Sequence, residues 1–81
     1  MSTPARQARE ALGARLRDIR RDAGLSGVEL ATLAGRHSSK VSRIEYGKRN
    51  ASEDDLRAWC RHCRAEDQLA ELVATLRAWL S

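Results

Sequence analysis

The stretch Gly27-Val28-Glu29-Leu30-Ala31-Thr32-Leu33-Ala34-Gly35-Arg36-His37-Ser38-Ser39-Lys40-Val41-Ser42-Arg43-Ile44-Glu45 decides how this chain folds. It opens on a capping box, Ser26-Gly27-Val28-Glu29. In such a box the Ser26 hydroxyl accepts from the Glu29 amide while the Glu29 carboxylate accepts from the Ser26 amide. A short helix therefore starts there, carrying Leu30, Leu33 and Ala34, and Gly35 ends it. A further helix covers about Ser38 to Tyr46, with Val41 and Ile44 inward and Gly47 as its stop. The turn between the two is about three residues long. Ala31 has only a methyl group and can lie directly under Val41. Gly35 can take the positive φ that reverses the chain sharply. Leu30, Ala34, Val41 and Ile44 then close the angle from inside. This is the steric recipe of a helix-turn-helix, spanning about residues 26–46.

The flanking sequence supplies three more helices. The first runs from about Ala8 to Ala23, with Leu12, Leu16, Ile19 and Ala23 on one face and Gly24 after it. The stretch Lys48-Arg49-Asn50-Ala51 is a loop. Ser52 caps a fourth helix, helped by Glu53, Asp54 and Asp55, whose charges suit the positive end of the helix dipole. Its inner face is Leu56, Trp59, Cys60 and Cys63. A fifth runs from about Glu66 to Leu80, with Leu69, Leu72, Val73, Leu76 and Leu80 at helical spacing. The expectation is an all-α fold, a compact five-helix bundle containing a helix-turn-helix, in a single domain over residues 1–81.

Composition agrees. A chain of 81 residues buries only about 60–65% of its unfolded surface, enough for one modest core and no deep catalytic cleft. The net charge of +4 conceals an asymmetry. Residues 1–50 hold eleven Lys/Arg against five Asp/Glu, whereas residues 51–81 hold four against six. One face is thus suited to a polyanion and another to something else. The start, Met1-Ser2-Thr3-Pro4-Ala5-Arg6, has no apolar core, so no secretory signal is expected. Leu69 to Leu80 is interrupted by Glu71, Thr75 and Arg77 and is too short to span a membrane. Two Cys with no signal peptide fit a reducing cytoplasm.

The third helix has little to hide. Ser38, Ser39, Lys40, Ser42 and Arg43 remain for its outer face. Short hydroxyls at a helix start approach phosphates or base edges closely, and an Arg one turn later can reach guanine with two hydrogen bonds. Lys48 and Arg49, just beyond the helix, suit phosphate contacts.

These residues resemble the phage repressor and Cro-type (xenobiotic-response-element) helix-turn-helix family, of which the lambda repressor is the type. The resembling strings are Leu12-Gly13-Ala14-Arg15-Leu16-Arg17, Glu29-Leu30-Ala31, and Ser39-Lys40-Val41-Ser42-Arg43-Ile44-Glu45-Tyr46-Gly47-Lys48-Arg49. The last is similar to an actinobacterial subgroup whose third helix reads SKVSRIE. The resemblance implies sequence-specific binding of double-stranded DNA by a helix in the major groove. It implies a cytoplasmic, nucleoid-associated transcription regulator, repressor-like and homodimeric on an inverted repeat. Ser38, Ser39 and Arg43 match positions that contact bases in that family, and Ser42 a less frequent one. Lys40, Lys48 and Arg49 match backbone-contacting or nearby positions, and Ser26, Gly27 and His37 are placed beside the phosphates too. Gly27 stands where the family often has Gln, so a side-chain phosphate contact is missing there. His37 stands where a Ser or Thr cap is usual; His is a poor cap, which moves the helix start to Ser38. Arg20 and Glu45 match a structural ion pair tying the first helix to the end of the third.

Other chemistries are poorly served. Cys60-Arg61-His62-Cys63 lacks the four ligands of a zinc site, and both Cys continue the Leu56–Trp59 face, so core packing is expected and no metal or cofactor. No Ser/His/Asp, Cys/His or phosphate-cradling Gly arrangement appears, so no enzyme is expected. Trp79 fits either a dimer contact or the core. The alternative function is a protein-interaction module, an antitoxin-like partner using residues 52–81.

Overall fold

In the computed structural model the described residues run from 3 to 80, with side chains to 78. They form five α-helices: α1 (Pro4–Asp22), α2 (Gly27–Ala34), α3 (Ser38–Glu45), α4 (Glu53–His62) and α5 (Leu69–Leu80). No strand occurs among the described residues. α1 starts four residues before the expected Ala8, because the Thr3 hydroxyl accepts the Arg6 amide and Pro4 occupies the first turn. A proline's fixed φ and missing N–H fit that position. The expected start of the last helix at Glu66 is a separate 3-10 turn (Glu66–Gln68) leading into α5. Trp79 and Leu80 have side chains outside those described.

One core holds the helices together. Leu12, Leu16 and Ile19 of α1 meet Leu30 and Ala31 of α2, Val41 and Ile44 of α3, Leu56, Trp59 and Cys60 of α4, and Leu72 and Leu76 of α5. Three expected inward residues lie outside it, one of them Ala34, which is only half-buried. Ala23 is exposed because α1 ends at Asp22 and Ala23 only caps it. Leu33 is 53% exposed, since α2 buries Leu30 and Ala31 and its packed stripe stops short of it. The sharp turn after α2 is made as its sequence requires. Gly35 sits in the left-handed region (φ 65°), and its neighbour Arg36 donates its amide to the Ala31 carbonyl.

α3 is only eight residues long and cannot hold its shape alone. Three constraints hold it. The first is contact: α1 crosses it at Gly13, where an added Cβ would lie 2.6 Å from the Glu45 carbonyl oxygen. The second is the carboxylate of Glu45, which is buried. Arg20 of α1 meets it with two hydrogen bonds, Nε to Oε2 at 2.7 Å and Nη2 to Oε1 at 2.8 Å, and spends Nη1 on the Leu25 carbonyl at 2.9 Å. The Glu45 hydrogen bonds hold the Arg20 pKa above its ordinary value against the opposing effect of burial.

The third is Asp55 in the first turn of α4, also buried. Its Oδ2 accepts the Ser52 amide at 2.9 Å, closing a capping box. Its Oδ1 takes Arg36 Nε at 3.0 Å and Lys40 Nζ at 3.2 Å. Burial pushes the Asp55 carboxyl up, but the Ser52, Arg36 and Lys40 hydrogen bonds outweigh it, so the pKa lies below the ordinary 3.8. A carboxyl whose pKa is lowered by folding stabilises the native state fully above its unfolded value and loses that contribution as pH falls through the folded value.

Three outcomes follow from these constraints. Gly13→Ala meets backbone rather than a movable side chain, so overpacking of about 1–3 kcal/mol outweighs the helix-propensity gain of about 1 kcal/mol; a melting temperature at or above wild type would contradict this. Arg20→Met leaves Glu45 buried without its cation and lowers stability by about 3–5 kcal/mol in urea melts. Asp55→Asn is less stable than wild type near neutrality, and the gap narrows as pH drops below about 4. Parallel stability curves for the two proteins across that range would remove Asp55 from the acid response.

Candidate nucleic-acid interface

α3 divides its residues by face. Val41, Ile44 and Glu45 are buried, while Ser38, Ser39, Ser42 and Arg43 are exposed. A helix that hides one apolar stripe and shows hydroxyls and a guanidinium offers solvent only hydrogen-bonding groups. Its start is capped by the residue expected to cap it badly. His37 Nδ1 accepts the Ser39 amide at 3.2 Å and lies 2.7 Å from the Ser39 hydroxyl. An imidazole nitrogen with a free lone pair replaces the usual hydroxyl, which places the proton on the other ring nitrogen. The helix begins at Ser38 with its cap intact.

The amino-terminal turn of α2 lies alongside. Its capping box is formed, with Ser26 Oγ accepting the Glu29 amide at 3.0 Å and Glu29 Oε1 accepting the Ser26 amide at 2.9 Å. These bonds hold the Glu29 carboxyl below its ordinary range. Between this turn and α3 runs a shallow groove of about 270 Å3 whose walls include Ser26, Gly27, Val28, Ser38 and Ser42, with Arg20 and Glu45 at its base. Four of the residues expected from sequence to contact DNA, Ser26, Gly27, Ser38 and Ser42, thus converge on one surface feature with the Arg20–Glu45 pair. Arg43 stands on the exposed side of α3, and Lys48 and Arg49 follow in the exposed loop beyond it. Among the described residues none of these three cations makes an ion pair.

Lys40 is placed differently. Its ammonium faces Asp55, and the side chain is only 26% exposed. Two residues that sequence reasoning passed over also flank the groove, Val28 (64% exposed) and Tyr46 (56% exposed). Val28 was findable, because it falls off the Leu30–Ala31–Ala34 stripe and an apolar side chain there has no core to enter. Tyr46 reads in the sequence only as the last residue of α3; its ring lies under the Arg17 guanidinium, 5.1 Å from centroid to carbon. Such a contact keeps a second arginine beside the carboxyl end of α3.

The remaining chemistry-bearing groups belong to the core. Cys60 and Cys63 are free thiols, both buried. Burial pushes the Cys63 thiol up to about 11 and the Cys60 thiol above its ordinary value, which leaves both protonated and poor ligands or nucleophiles. Among the described residues no group of three or more His, Cys, Asp or Glu is arranged to hold a metal ion. No described helix is long and apolar enough to cross a membrane.

Comparison with known proteins agrees with this geometry. Among curated proteins none matches. A structure of the clp gene regulator ClgR from Corynebacterium glutamicum is similar with a TM-score of 0.72 and 31% identity, over 88% of this chain and 73% of that one. A second ClgR structure from C. glutamicum gives 0.71 and 30% identity, over 91% and 94%. The helix-turn-helix domain family matches residues 11–73, a span that runs from within α1 into α5 and includes the groove between α2 and α3. With most of its length inside that match, the chain belongs to the helix-turn-helix domain family.

Proposed function

We propose that this chain is a transcription regulator that binds double-stranded DNA with sequence specificity, laying α3 in the major groove. The observation that carries the reading is the outer face of α3: Ser38, Ser39, Ser42 and Arg43 are exposed on a helix whose opposite side is sealed into the core. Hydroxyls near the helix start and an arginine one turn on match the donors and acceptors of base edges. The similarity to a gene regulator supports the same reading.

In this proposal Ser38, Ser39, Ser42 and Arg43 read bases. Ser26, Gly27, His37, Lys48 and Arg49 lie along the backbone, where contacts fix register without carrying sequence information. The SKVSRIE string and the Arg20–Glu45 pair support assignment to the phage repressor and Cro-type branch. A homodimer on an inverted repeat, acting as a repressor in the cytoplasm, follows from that assignment. Its half-sites lie about 34 Å apart, one helical turn. A second reading, a protein-interaction module on residues 52–81, is favoured by a shallow trough between α4 and α5 lined by Arg57, Leu69, Ala70, Val73 and Arg77. A gel shift at low salt separates the two, since an interaction module alone retards no DNA.

Selection of bound duplexes from a random pool supplies the site for testing individual residues. Arg43→Ala then costs about 1–3 kcal/mol on the selected duplex and relaxes preference at one base pair. Lys48→Ala weakens selected and random duplexes alike and lowers the salt slope by about one unit. Unchanged affinity of Arg43→Ala for both duplexes would remove Arg43 from base reading.

A further inference from the structure

We propose that Asp55 is a positioning residue for the amino-terminal end of α3, acting through Arg36 and Lys40, and that Lys40 serves this clamp instead of a DNA phosphate. The proposal presupposes the DNA-binding reading and adds a division of labour among its cations.

The geometry has three parts. The Asp55 carboxylate is out of solvent, at the start of α4, and one of its oxygens receives both cations. Arg36 lies in the turn between α2 and α3 and also donates Nη1 to the Ala34 carbonyl at 2.9 Å. Lys40 sits in the first turn of α3, next to Ser39 and one turn before Arg43. A single acceptor on α4 therefore holds the turn and the start of the reading helix together. The other end of α3 is held in the complementary way, with its own Glu45 gripped by Arg20 of α1. Val41 and Ile44 fix how deeply α3 sits, and the two carboxylates fix its rotation and tilt. Those are the quantities that decide which base edge Ser39, Ser42 and Arg43 face.

A phosphate at Lys40 would have to share its ammonium with Oδ1 of a desolvated carboxylate. Lys48 and Arg49 are under no such constraint, being exposed and paired with no carboxylate among the described residues. The backbone cations and the positioning cation are thus distinct, and salt dependence tells them apart. A lysine that neutralises a phosphate contributes about 0.9 to the salt slope, whereas one that neutralises a protein carboxylate contributes nothing.

The test measures fluorescence anisotropy of the full chain with the selected duplex and a random duplex of equal length, over a range of salt. Lys40→Ala leaves the slope unchanged on both duplexes and lowers the preference for the selected one about tenfold, an effect of the size expected for a misplaced base contact. Lys40→Arg, which keeps a cation for Asp55, restores most of that preference. Asp55→Asn, measured well below its melting temperature, frees Lys40 and steepens the slope by about 0.9. If Asp55→Asn does not fold, the two Lys40 variants decide. A Lys40→Ala slope lower by about 0.9, with equal weakening on both duplexes, puts Lys40 on a phosphate and overturns the proposal. No change in either quantity, or no recovery in Lys40→Arg, overturns it too. Failure of the wild-type chain to bind either duplex strikes the DNA-binding reading itself, a result distinct from all of these.

Discussion

Glu45 is a carboxylate taken out of water at the end of an eight-residue helix, and the arrangement of α1 and α3 depends on how it is met. An unpaired buried charge is too costly to keep, so the helix can sit only where Arg20 reaches it. The two parallel hydrogen bonds from Arg20 add a planar, directional requirement that an ammonium could not impose. Close by, Gly13 lets the α1 backbone come within contact distance of the Ile44 and Glu45 carbonyls. The crossing of α1 over α3 is therefore defined by shape and by charge at once. Such a pair contributes little net stability against a well-packed apolar alternative; here its value is in geometry, because the geometry it sets is that of the exposed serines and Arg43.

α2 owes its position to the same economy of contacts. It buries Leu30 and Ala31 and leaves Val28 and Leu33 in solvent, so its apolar stripe is narrow. A narrow stripe suffices because the capping box at Ser26–Glu29 and the left-handed Gly35 define both ends of the helix locally. The amino-terminal turn that results stands clear of the core and forms one wall of the groove beside α3. Had α2 been sealed on all sides, Ser26 and Gly27 could not have shared a surface with Ser38 and Ser42.

The parts legible in the sequence are those whose causes are local. Ser26 and Glu29 are three residues apart, Gly35 turns the chain at its own position, and the exposed face of α3 follows from helical spacing around Val41 and Ile44. The parts that were not legible depend on partners far along the chain. Asp55 reads as ordinary helix-start chemistry, and in part it is, through Ser52. Nothing near it in sequence announces that its second oxygen gathers Arg36 and Lys40, 19 and 15 residues earlier. For the same reason Lys40 looked like one more surface cation. His37 reads as a poor cap because Ser or Thr is usual there, although a ring nitrogen with a free lone pair accepts an amide hydrogen as a hydroxyl oxygen does. The start of α1 is hidden in the sequence because Thr3 and Pro4 sit outside the apolar periodicity that marks the rest of that helix.

The uneven charge along the chain takes on a sharper meaning once the pairs are known. The excess of cations in residues 1–50 is not spread evenly over the surface. Arg15 is met by Glu71 of α5, Arg20 by Glu45, and Arg36 and Lys40 by Asp55 of α4. The acidic second part of the chain thus neutralises Arg15, Arg36 and Lys40, while Arg20 is met by Glu45 within the basic first part. Among the described residues Arg43, Lys48 and Arg49 make no ion pair, and all three lie at or just past the exposed end of α3. Arg9, Arg17 and Arg21 of α1 make none there either, Arg9 donating to the Gly47 carbonyl and Arg17 lying over Tyr46. Internal pairing offsets Arg15, Arg36 and Lys40, while Arg43, Lys48 and Arg49 keep their charge where α3 meets solvent. These three cations attract a polyanion towards that end of α3. Charge balance and helix orientation thereby work through the same carboxylates: the groups that aim α3 also silence the cations beside it.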